Sequence, residues 1–182
     1  MNRIKQADEI FYSFCPHCQT KLNFKLIDQK SVLSCPKCSF IFWNNPKPVV
    51  SAIIKKNKQI LLVKRKGPVY KNYWALPGGV IDFLEEPSQA IKREVKEETG
   101  LIINRCQLLD AYLIVYPLSK VKKRISHTSI DLIYSVFIKQ SQNKLTAPEN
   151  EIEEVKFFHL NKLPKNIAFK HRKMIIKHAL EK

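Results

Sequence analysis

The amino-acid sequence predicts an α/β domain that follows a small cysteine-rich module. Several apolar, strand-like runs surround one amphipathic helix with an acidic face, an order of elements that is compatible with an α/β arrangement. Two C-x-x-C pairs near the N-terminus indicate a module that a metal ion stabilises. A length of 182 residues with 45% apolar residues suffices for one ordinary domain and a small additional module.

The composition also indicates where the protein acts. No apolar run reaches the roughly 18 residues of a membrane-spanning helix, so we expect no membrane association. Residues 1–14 lack the apolar core of a signal peptide. Paired C-x-x-C motifs are typical of metal binding in a reducing compartment. We therefore predict a cytoplasmic protein.

The net charge of +16 at pH 7 indicates attraction to anions such as nucleotides, RNA or acidic membrane surfaces. Lysine greatly outnumbers arginine, and such a bias also accompanies solubility alone. The charge therefore leaves RNA binding open as one interpretation.

The N-terminal module is predicted to hold structural zinc. Cys15 and Cys18 are separated by sixteen residues from Cys35 and Cys38, which is the spacing of a four-thiolate site. Such a site is closed to water, and in a module this small the ion supplies folding energy. A hairpin with strands around Lys21–Ile27 and Ser31–Ser34 should join the two pairs. His17 is expected at the surface, and Cys106 in an apolar environment.

A proline-containing linker, residues 44–48, separates the module from the second domain. We predict a zinc ribbon over residues 1–45 and a second domain over residues 46–182. Between its strands lies a basic loop, Leu118–Thr128, and a polar loop covers Gln140–Asn150. A basic amphipathic helix from Lys165 should close the chain. The predicted strands of this domain are Val49–Ile54, Ile60–Lys64, Tyr73–Leu76, Gln107–Tyr116, Ser129–Lys139 and Val155–Leu160.

The central feature is a glycine loop followed by a helix with three carboxylates on one face. Leu76-Pro77-Gly78-Gly79 ends a short apolar run. Glu85 and Glu86 are expected in the first helical turn, with Pro87 early and Gly100 as the left-handed C-cap. The three carboxylates favour Mg²⁺ or Mn²⁺, because these ions prefer hard oxygen ligands. They belong to Glu94, Glu97 and Glu98.

These residues resemble a complete Nudix box. Gly79 is followed after five residues by Glu85, and after seven more by Arg93-Glu94-Val95-Lys96-Glu97-Glu98-Thr99-Gly100-Leu101. Leu84 stands where most members have glycine. The resemblance covers residues 46–182 and implies a Nudix α/β/α sandwich with a mixed sheet, preceded by the zinc ribbon.

The resemblance also implies roles for individual residues. Glu94, Glu97 and Glu98 would hold the divalent ions, together with the Gly79 carbonyl. Glu85 would bind a metal more weakly or support the helix. Arg93 would hold a glutamate in place, and Glu97 is its nearest candidate. The general base would be Glu94 or Glu97, with Glu151 as a further candidate for base or ligand.

The zinc ribbon followed by Asn45-Pro46-Lys47-Pro48 is similar to Nudix hydrolases that cleave NADH, ADP-ribose or FAD. The S-Q-P-W-P-F-P signature of the NADH enzymes is missing, whereas Pro117 resembles a proline typical of ADP-ribose enzymes. Tyr70, Tyr73 and Trp74 are candidates for stacking on a base, with a core role favoured for Trp74.

The resemblance thus implies a pyrophosphohydrolase that splits a nucleoside diphosphate-linked compound, FAD or ADP-ribose, into two monophosphates. One alternative is an RNA 5′-end pyrophosphohydrolase, and another is a non-catalytic regulator that binds nucleotides or nucleic acid. The intact box glutamates argue against the regulator. A homodimer is also consistent with the family.

Overall fold

The computed structural model describes residues 12–117, 125–138, 145–147 and 151–180. These residues form two compact units. The first comprises the described residues of Met1–Lys47 and Val115–Thr128, and the second those of Pro48–Ile114 and Ser129–Lys182. The predicted boundary at residues 45 and 46 lies close to Lys47. No sequence pattern indicated that residues 115–117 and 125–128 belong to the first unit.

The first unit contains a three-stranded antiparallel sheet of β1 (Asn23–Ile27), β2 (Lys30–Ser34) and β3 (Ile41–Phe42). The predicted hairpin is confirmed. Its two turn residues, Asp28 and Gln29, have φ angles of 47° and 61°. Two positive φ angles are typical of a type I′ turn, whose twist matches that of the flanking strands.

The second unit is built on a seven-stranded mixed sheet. Along it the strand order is β10-β5-β4-β9-β8, while β6 pairs with β5 and β7 with β4. The β4–β5, β5–β10, β4–β7 and β5–β6 pairs are antiparallel, and Trp74 forms a parallel bridge with Ile167. The strands are β4 (Lys47–Lys56), β5 (Gln59–Arg65), β6 (Trp74–Ala75), β7 (Gly78–Val80), β8 (Ile103–Pro117), β9 (Ile125–Ile138) and β10 (Ile152–His159).

Helices lie on both faces of this sheet, as the predicted α/β/α sandwich requires. The helix α1 (Pro87–Thr99) buries its apolar stripe against alternate residues of β4. The residue between two of them, Ser51, contacts His171 of α2 (His171–Ile175) instead. Because successive strand residues point to opposite faces, α1 and α2 lie on opposite sides. The first core contains Val50, Ala52, Ile54, Leu61, Ala90, Ile91 and Val95.

Both ends of α1 follow local signals. Glu86 is the N-cap residue and its N–H donates to Gln89 Oε1 at 3.3 Å, while Pro87 is the first helical residue. Gly100 has a φ of 74° and donates to the Lys96 carbonyl at 2.9 Å, so the predicted C-cap is confirmed. The prediction that Glu85 and Glu86 occupy the first turn is wrong, because the helix begins at Pro87.

The C-terminal helix begins six residues later than Lys165, so that part of the prediction is wrong. The Trp74 N–H donates to the Asn166 carbonyl, and the Ala168 N–H donates to the Trp74 carbonyl. Ile167 is thereby held in the sheet, and the chain enters α2 through the left-handed Phe169 and Lys170. A π-helical segment, Ile176–Leu180, continues α2.

Both predicted loops fall largely on residues that are not described. Residues 118–124 and 139–144 lie outside the described ranges, as do 148–150. Since β9 begins at Ile125, His127 lies on a strand and not in the predicted basic loop. No helix in the described part of the chain is long and apolar enough to cross a bilayer.

Candidate functional site

The four predicted cysteine ligands lie together in the first unit. The sulfur of Cys18 is 3.4 Å from that of Cys35 and 3.8 Å from that of Cys38, and Cys15 and Cys38 are 3.6 Å apart. A tetrahedral thiolate site with metal–sulfur bonds of about 2.3 Å has sulfur–sulfur edges of about 3.8 Å. The cluster therefore has the dimensions of a metal site. His17 is exposed and outside it.

Hydrogen bonds and burial act on the cysteine sulfurs in opposite directions. The Lys37 and Cys38 N–H groups donate to the Cys35 sulfur, each at 3.4 Å. Hydrogen bonds from Thr20 lower the pKa of Cys18 to about 6. The Phe40 backbone lowers the pKa of Cys38, but burial and the neighbouring thiols outweigh it and raise this pKa to about 12. Metal binding requires thiolate ligands, so it would release protons from this cluster.

In the second unit, the glycine loop fixes one box carboxylate. The Gly78 N–H donates to Glu98 Oε2 at 2.8 Å, and the Glu98 side chain is buried. Burial raises the pKa of Glu98 to about 8, despite the Gly78 hydrogen bond. Gly78 has a φ of 150°, and a Cβ there would collide with the Val50 carbonyl oxygen. This approach of loop and strand requires glycine.

Glu94 lies next to the second glycine of the loop. A Cβ on Gly79 would collide with the Glu94 carboxylate, so backbone and carboxylate are in close approach. Burial raises the pKa of Glu94 although Arg93 opposes the shift. Glu94, Glu98 and the Gly78–Gly79 backbone therefore meet at one place, between β7 and α1.

Arg93 connects the box carboxylates. It donates to both Glu85 oxygens at 2.9 Å, to Glu94 at 2.8 Å and to Glu97 at 3.2 Å. It also donates to the Val80 carbonyl at 3.0 Å. The main partner of Arg93 is thus Glu85, whereas the sequence indicated Glu97. Hydrogen bonds from Arg93 lower the pKa of Glu85 to about 2.

The two remaining candidates, Glu97 and Glu151, are more exposed. The Glu97 side chain is 58% exposed and borders an open cleft of about 470 Å³ that Lys92 and Lys96 also line. Glu151 lies at the start of β10, where its carbonyl accepts the Lys66 N–H at 2.9 Å. Burial is the main cause of the raised pKa values of Glu94 and Glu98, and repulsion from the Glu151 charge adds to both. The Glu151 charge thus contributes to the electrostatic environment of both carboxylates.

The box supplies hard oxygen donors, which are the ligands that Mg²⁺ and Mn²⁺ prefer. Two of its carboxylates are largely buried with raised pKa values, so a cation would relieve their desolvation. The Arg93 guanidinium donates to the carboxylates of Glu85, Glu94 and Glu97. Among the described residues, only the four cysteines gather three or more ligand atoms closely enough to share one ion.

The structure also separates the aromatic candidates. Trp74 is buried edge-to-face against Phe158, which agrees with the core role favoured above. Tyr70 and Tyr73 are 37% and 41% exposed, with ring centroids 5.5 Å apart. The Tyr70 ring contacts Phe169 at 4.8 Å, and the Arg65 guanidinium lies 4.9 Å above the Phe169 ring. The charge of Arg65 also opposes the rise that burial causes in the pKa of Glu98.

Sequence reasoning missed a buried polar group beneath the glycine loop. Ser51, Asp131 and His171 come from β4, β9 and α2 and share hydrogen bonds of 3.1 to 3.5 Å. Ser51 and Asp131 carried no signal, since each is an isolated polar residue in an apolar strand. His171 was noted only for its helical spacing.

The class of this protein is defined by two features. A glycine loop lies against a helix that carries several glutamates, and both lie on a mixed sheet with helices on its two faces. Residues 45–177 match the family model described as the NUDIX domain. The chain is 38% identical over 131 residues to an ADP-ribose pyrophosphatase of Methanocaldococcus jannaschii, covering 72% of each. The chain therefore belongs to the Nudix family, and it is a Nudix hydrolase.

More distant relatives agree on the fold. NudC of Pseudomonas aeruginosa, an NAD-capped RNA hydrolase, is 23% identical over 151 residues, which are 83% of this chain and 49% of that protein. The chain thus spans about half the length of this relative. A crystal structure of a NUDIX hydrolase from Nitrosomonas europaea superposes with a TM-score of 0.66 over 94% of each chain at 24% identity. The NUDIX domain of Shewanella oneidensis NrtR, crystallised with ADP ribose, superposes with a TM-score of 0.59. The match covers 76% of this chain and 89% of that one, at 20% identity.

Proposed function

We propose that this protein is a divalent-metal-dependent pyrophosphohydrolase that cleaves ADP-ribose or FAD into two monophosphates. The observation that carries the proposal is the close approach of the Glu94 and Glu98 carboxylates to the Gly78–Gly79 backbone. The similarity to the archaeal ADP-ribose pyrophosphatase favours ADP-ribose of the two substrates.

The residues of the Nudix box would have different roles in metal binding. Glu94, Glu97 and Glu98, with the Gly79 carbonyl, would hold Mg²⁺ or Mn²⁺. A bound ion neutralises phosphate charge and makes water more acidic. Arg93 keeps Glu94 and Glu97 in place and is a positioning residue. Glu85 is held by Arg93 and supports the start of α1, which leaves it at most a weak ligand.

The base that takes the proton from water would be Glu94, Glu97 or Glu151. A base must be within hydrogen-bond reach of the water and have a pKa near the working pH. Glu94 has the raised pKa, whereas Glu97 and Glu151 are the more exposed of the three candidates. Glutamine substitutions would separate the roles: loss of a ligand weakens Mn²⁺ binding, whereas loss of the base lowers kcat alone.

The substrate base would stack on Tyr70 and Tyr73. Both rings are exposed, and Tyr70 has a φ of 55°. Left-handed backbone at a bulky residue is uncommon and clusters at ligand sites. Stacking on an aromatic ring contributes about 1–3 kcal/mol per base. Tyr70→Ala should therefore raise the KM for ADP-ribose, and Tyr70→Phe should leave it unchanged.

The cysteine cluster would hold structural Zn²⁺, because a closed four-thiolate set leaves no position for water. Its free thiols fit a reducing compartment such as the cytoplasm. The proposed ribbon covers residues 1–45 and the proposed Nudix domain residues 46–182. Homodimerisation stays a prediction that sedimentation velocity would test.

The first experiment incubates the protein and Mg²⁺ with FAD, ADP-ribose, NADH, dinucleoside polyphosphates and capped or triphosphorylated RNA. AMP release from ADP-ribose or FAD that Glu97→Gln abolishes would support the proposal. Glu154→Gln is the matched control, since Glu154 is an exposed glutamate on β10 whose carboxylate lies 3.9 Å from the Lys156 ammonium. Turnover unaffected by Glu97→Gln, or none on any small compound, would contradict the proposal.

The second candidate is hydrolysis of an RNA 5′ end. It is favoured by the match to NudC over 83% of this chain and by exposed rings on the first unit. Phe14, Phe24 and Trp43 are 61%, 52% and 45% exposed, and aromatic rings beside cations are typical single-strand binding surfaces. Processing of RNA alone in the same panel would establish this candidate. RNA or nucleotide binding without any turnover would instead indicate a regulator.

A further inference from the structure

Three buried side chains from distant parts of the sequence form one hydrogen-bonded unit. Asp131 Oδ2 lies 3.1 Å from Ser51 Oγ and 3.1 Å from His171 Nε2. Ser51, Asp131 and His171 are 5%, 1% and 4% exposed. Such burial strengthens each of these contacts, because water does not screen them.

The partners determine the protonation of His171. The Leu76 N–H donates to His171 Nδ1 at 3.0 Å, so this nitrogen is an acceptor and carries no proton. The proton is on Nε2, which donates to Asp131 Oδ2. The imidazole is therefore neutral and joins the Asp131 carboxylate to the backbone of the glycine loop.

The same three residue types make up the nucleophile triad of hydrolases, but this geometry excludes that role. In a triad the carboxylate bonds Nδ1 and the serine bonds Nε2. Here serine and carboxylate both approach Nε2, and Nδ1 is engaged by the Leu76 amide. The serine hydroxyl is also buried, out of reach of a substrate.

The unit is a weak source of stability. Asp131 Oδ1 is buried and has no hydrogen-bond partner among the described residues. An unsatisfied buried group costs about 1–3 kcal/mol, and apolar replacements of buried ionic groups are often neutral or stabilising. The contact from His171 to the Leu76 N–H instead restricts the position of the Leu76–Gly79 loop.

The restricted loop is directly connected to a carboxylate of the Nudix box. Pro77 alone separates Leu76, held by His171, from Gly78, whose N–H holds Glu98. The Pro77 carbonyl accepts the Ala52 N–H at 2.8 Å, and Gly78 pairs with Ser51 itself. A shift at Leu76 would therefore displace the donor that orients the Glu98 carboxylate.

We propose that Ser51, Asp131 and His171 are positioning residues that hold the Leu76–Gly79 loop, and through it Glu98, in the geometry needed for metal binding. This inference rests on the proposed function, because it uses Glu98 as a metal ligand. It assigns a role to a buried group that never touches substrate.

The test compares two amide replacements of His171, which each keep one of its two contacts. In His171→Asn the amide oxygen can replace Nδ1 and accept the Leu76 N–H. In His171→Gln the longer side chain can reach Asp131 but leaves the Leu76 N–H without its acceptor. Loss of residues that orient metal ligands typically lowers metal affinity or activity by about 10–100-fold. We expect His171→Gln to weaken Mn²⁺ binding, followed by electron paramagnetic resonance, by that factor, and His171→Asn to weaken it less.

Two further measurements separate positioning from a general loss of structure. Hydrogen exchange at the Leu76 and Gly78 amides, resolved by NMR, should become faster in His171→Gln than in His171→Asn. kcat should fall with little change in the KM for ADP-ribose. The matched control is His178→Asn, which removes a 2.9 Å contact to Tyr112 from the same C-terminal segment and should alter none of these values.

Wild-type Mn²⁺ affinity and amide exchange in His171→Gln would overturn this inference while leaving the proposed function intact. A wild-type protein that binds no Mn²⁺ would overturn the proposed function as well. If His171→Gln does not fold, Ser51→Ala removes a single hydroxyl from the same unit. That variant should show the same changes in Mn²⁺ binding and exchange to a smaller degree, and their absence would be equally decisive.

Discussion

Leu84 precedes the box helix in a conformation that leucine rarely adopts. Its φ is 63°, and the side chain is 88% exposed. Most Nudix boxes have glycine at this position, and the backbone here takes the shape that glycine adopts without strain. The turn is therefore preserved although the residue differs. Leucine in this left-handed conformation costs free energy locally, and the remaining structure offsets that cost.

Leu84→Gly should stabilise the protein by about 0.5–1 kcal/mol. A left-handed non-glycine residue costs about 1–2 kcal/mol, and the larger unfolded-state entropy of glycine offsets part of that gain. Denaturant unfolding would measure the change. Leu84→Ala keeps the strain and should behave like the wild type, so equal stabilisation by both substitutions would contradict the argument.

Glu98 is the residue whose charge is most strongly affected by the fold. Without metal, burial raises its pKa from 4.5 to about 8. The folded state therefore binds this proton more tightly than the unfolded state between those pH values. The contribution of Glu98 to stability is complete below pH 4.5 and is lost as pH rises towards about 8.

In chelator, the wild type should lose stability relative to Glu98→Gln between pH 5 and pH 8, by an amount on the order of a few kcal/mol. Glutamine has nearly the same shape and can still accept the Gly78 N–H, but it does not ionise. Urea unfolding of both proteins across this range provides the measurement. Parallel stability curves would show that Glu98 is not desolvated as described.

At the scale of elements, the β1–β3 sheet is too small to fold through apolar burial alone. Its core contains Leu22 and Leu33 beside two of the cysteines themselves. The cysteine cluster therefore occupies the position that apolar side chains fill in a larger domain. Without a metal ion, little remains to hold these strands together.

Loading the cysteine cluster with Co²⁺ should give the absorption spectrum of a tetrahedral thiolate complex, one ion per chain. Cys38→Ser should lose the spectrum together with the dispersed NMR signals of β1–β3. Cys106→Ser is the matched control, since Cys106 lies outside the cluster, and it should retain both. A Cys38→Ser protein that keeps an ordered ribbon would contradict a folding role for the metal.

Elements differ in how well local signals predict them. The ends of α1 and the turn of the ribbon hairpin were predictable, because proline, glycine and two turn residues determine them within a few positions. The start of α2 was not predictable, because it depends on hydrogen bonds between Trp74 and the backbone of Asn166 and Ala168. These residues are more than ninety positions from Trp74 in the chain. Helical periodicity continues through that stretch, but tertiary hydrogen bonds override it.

At the scale of the whole molecule, the net charge of +16 distinguishes the two candidate substrates. A small diphosphate engages few cations, whereas an RNA chain engages many and releases a counterion at each. The charge therefore affects both activities, but to very different degrees.

Raising salt from about 50 to 200 mM should lower RNA affinity by about 10³–10⁵-fold if six to ten phosphates are bound. The KM for ADP-ribose should rise by less than about tenfold over the same range. Fluorescence anisotropy and initial rates would measure the two effects. A shallow salt dependence of RNA binding would argue against RNA as the natural substrate.

The sequence by itself determined the family, the cysteine cluster and the box, because each depends on residue types at fixed local spacing. The tertiary structure decided which glutamate Arg93 binds, how deeply Glu98 is buried and that Tyr70 joins Phe169. It also brought Ser51, Asp131 and His171 beneath the glycine loop. These contacts join residues far apart in the chain, and no local pattern specifies them, since burial and long-range hydrogen bonds arise only when the sheet assembles.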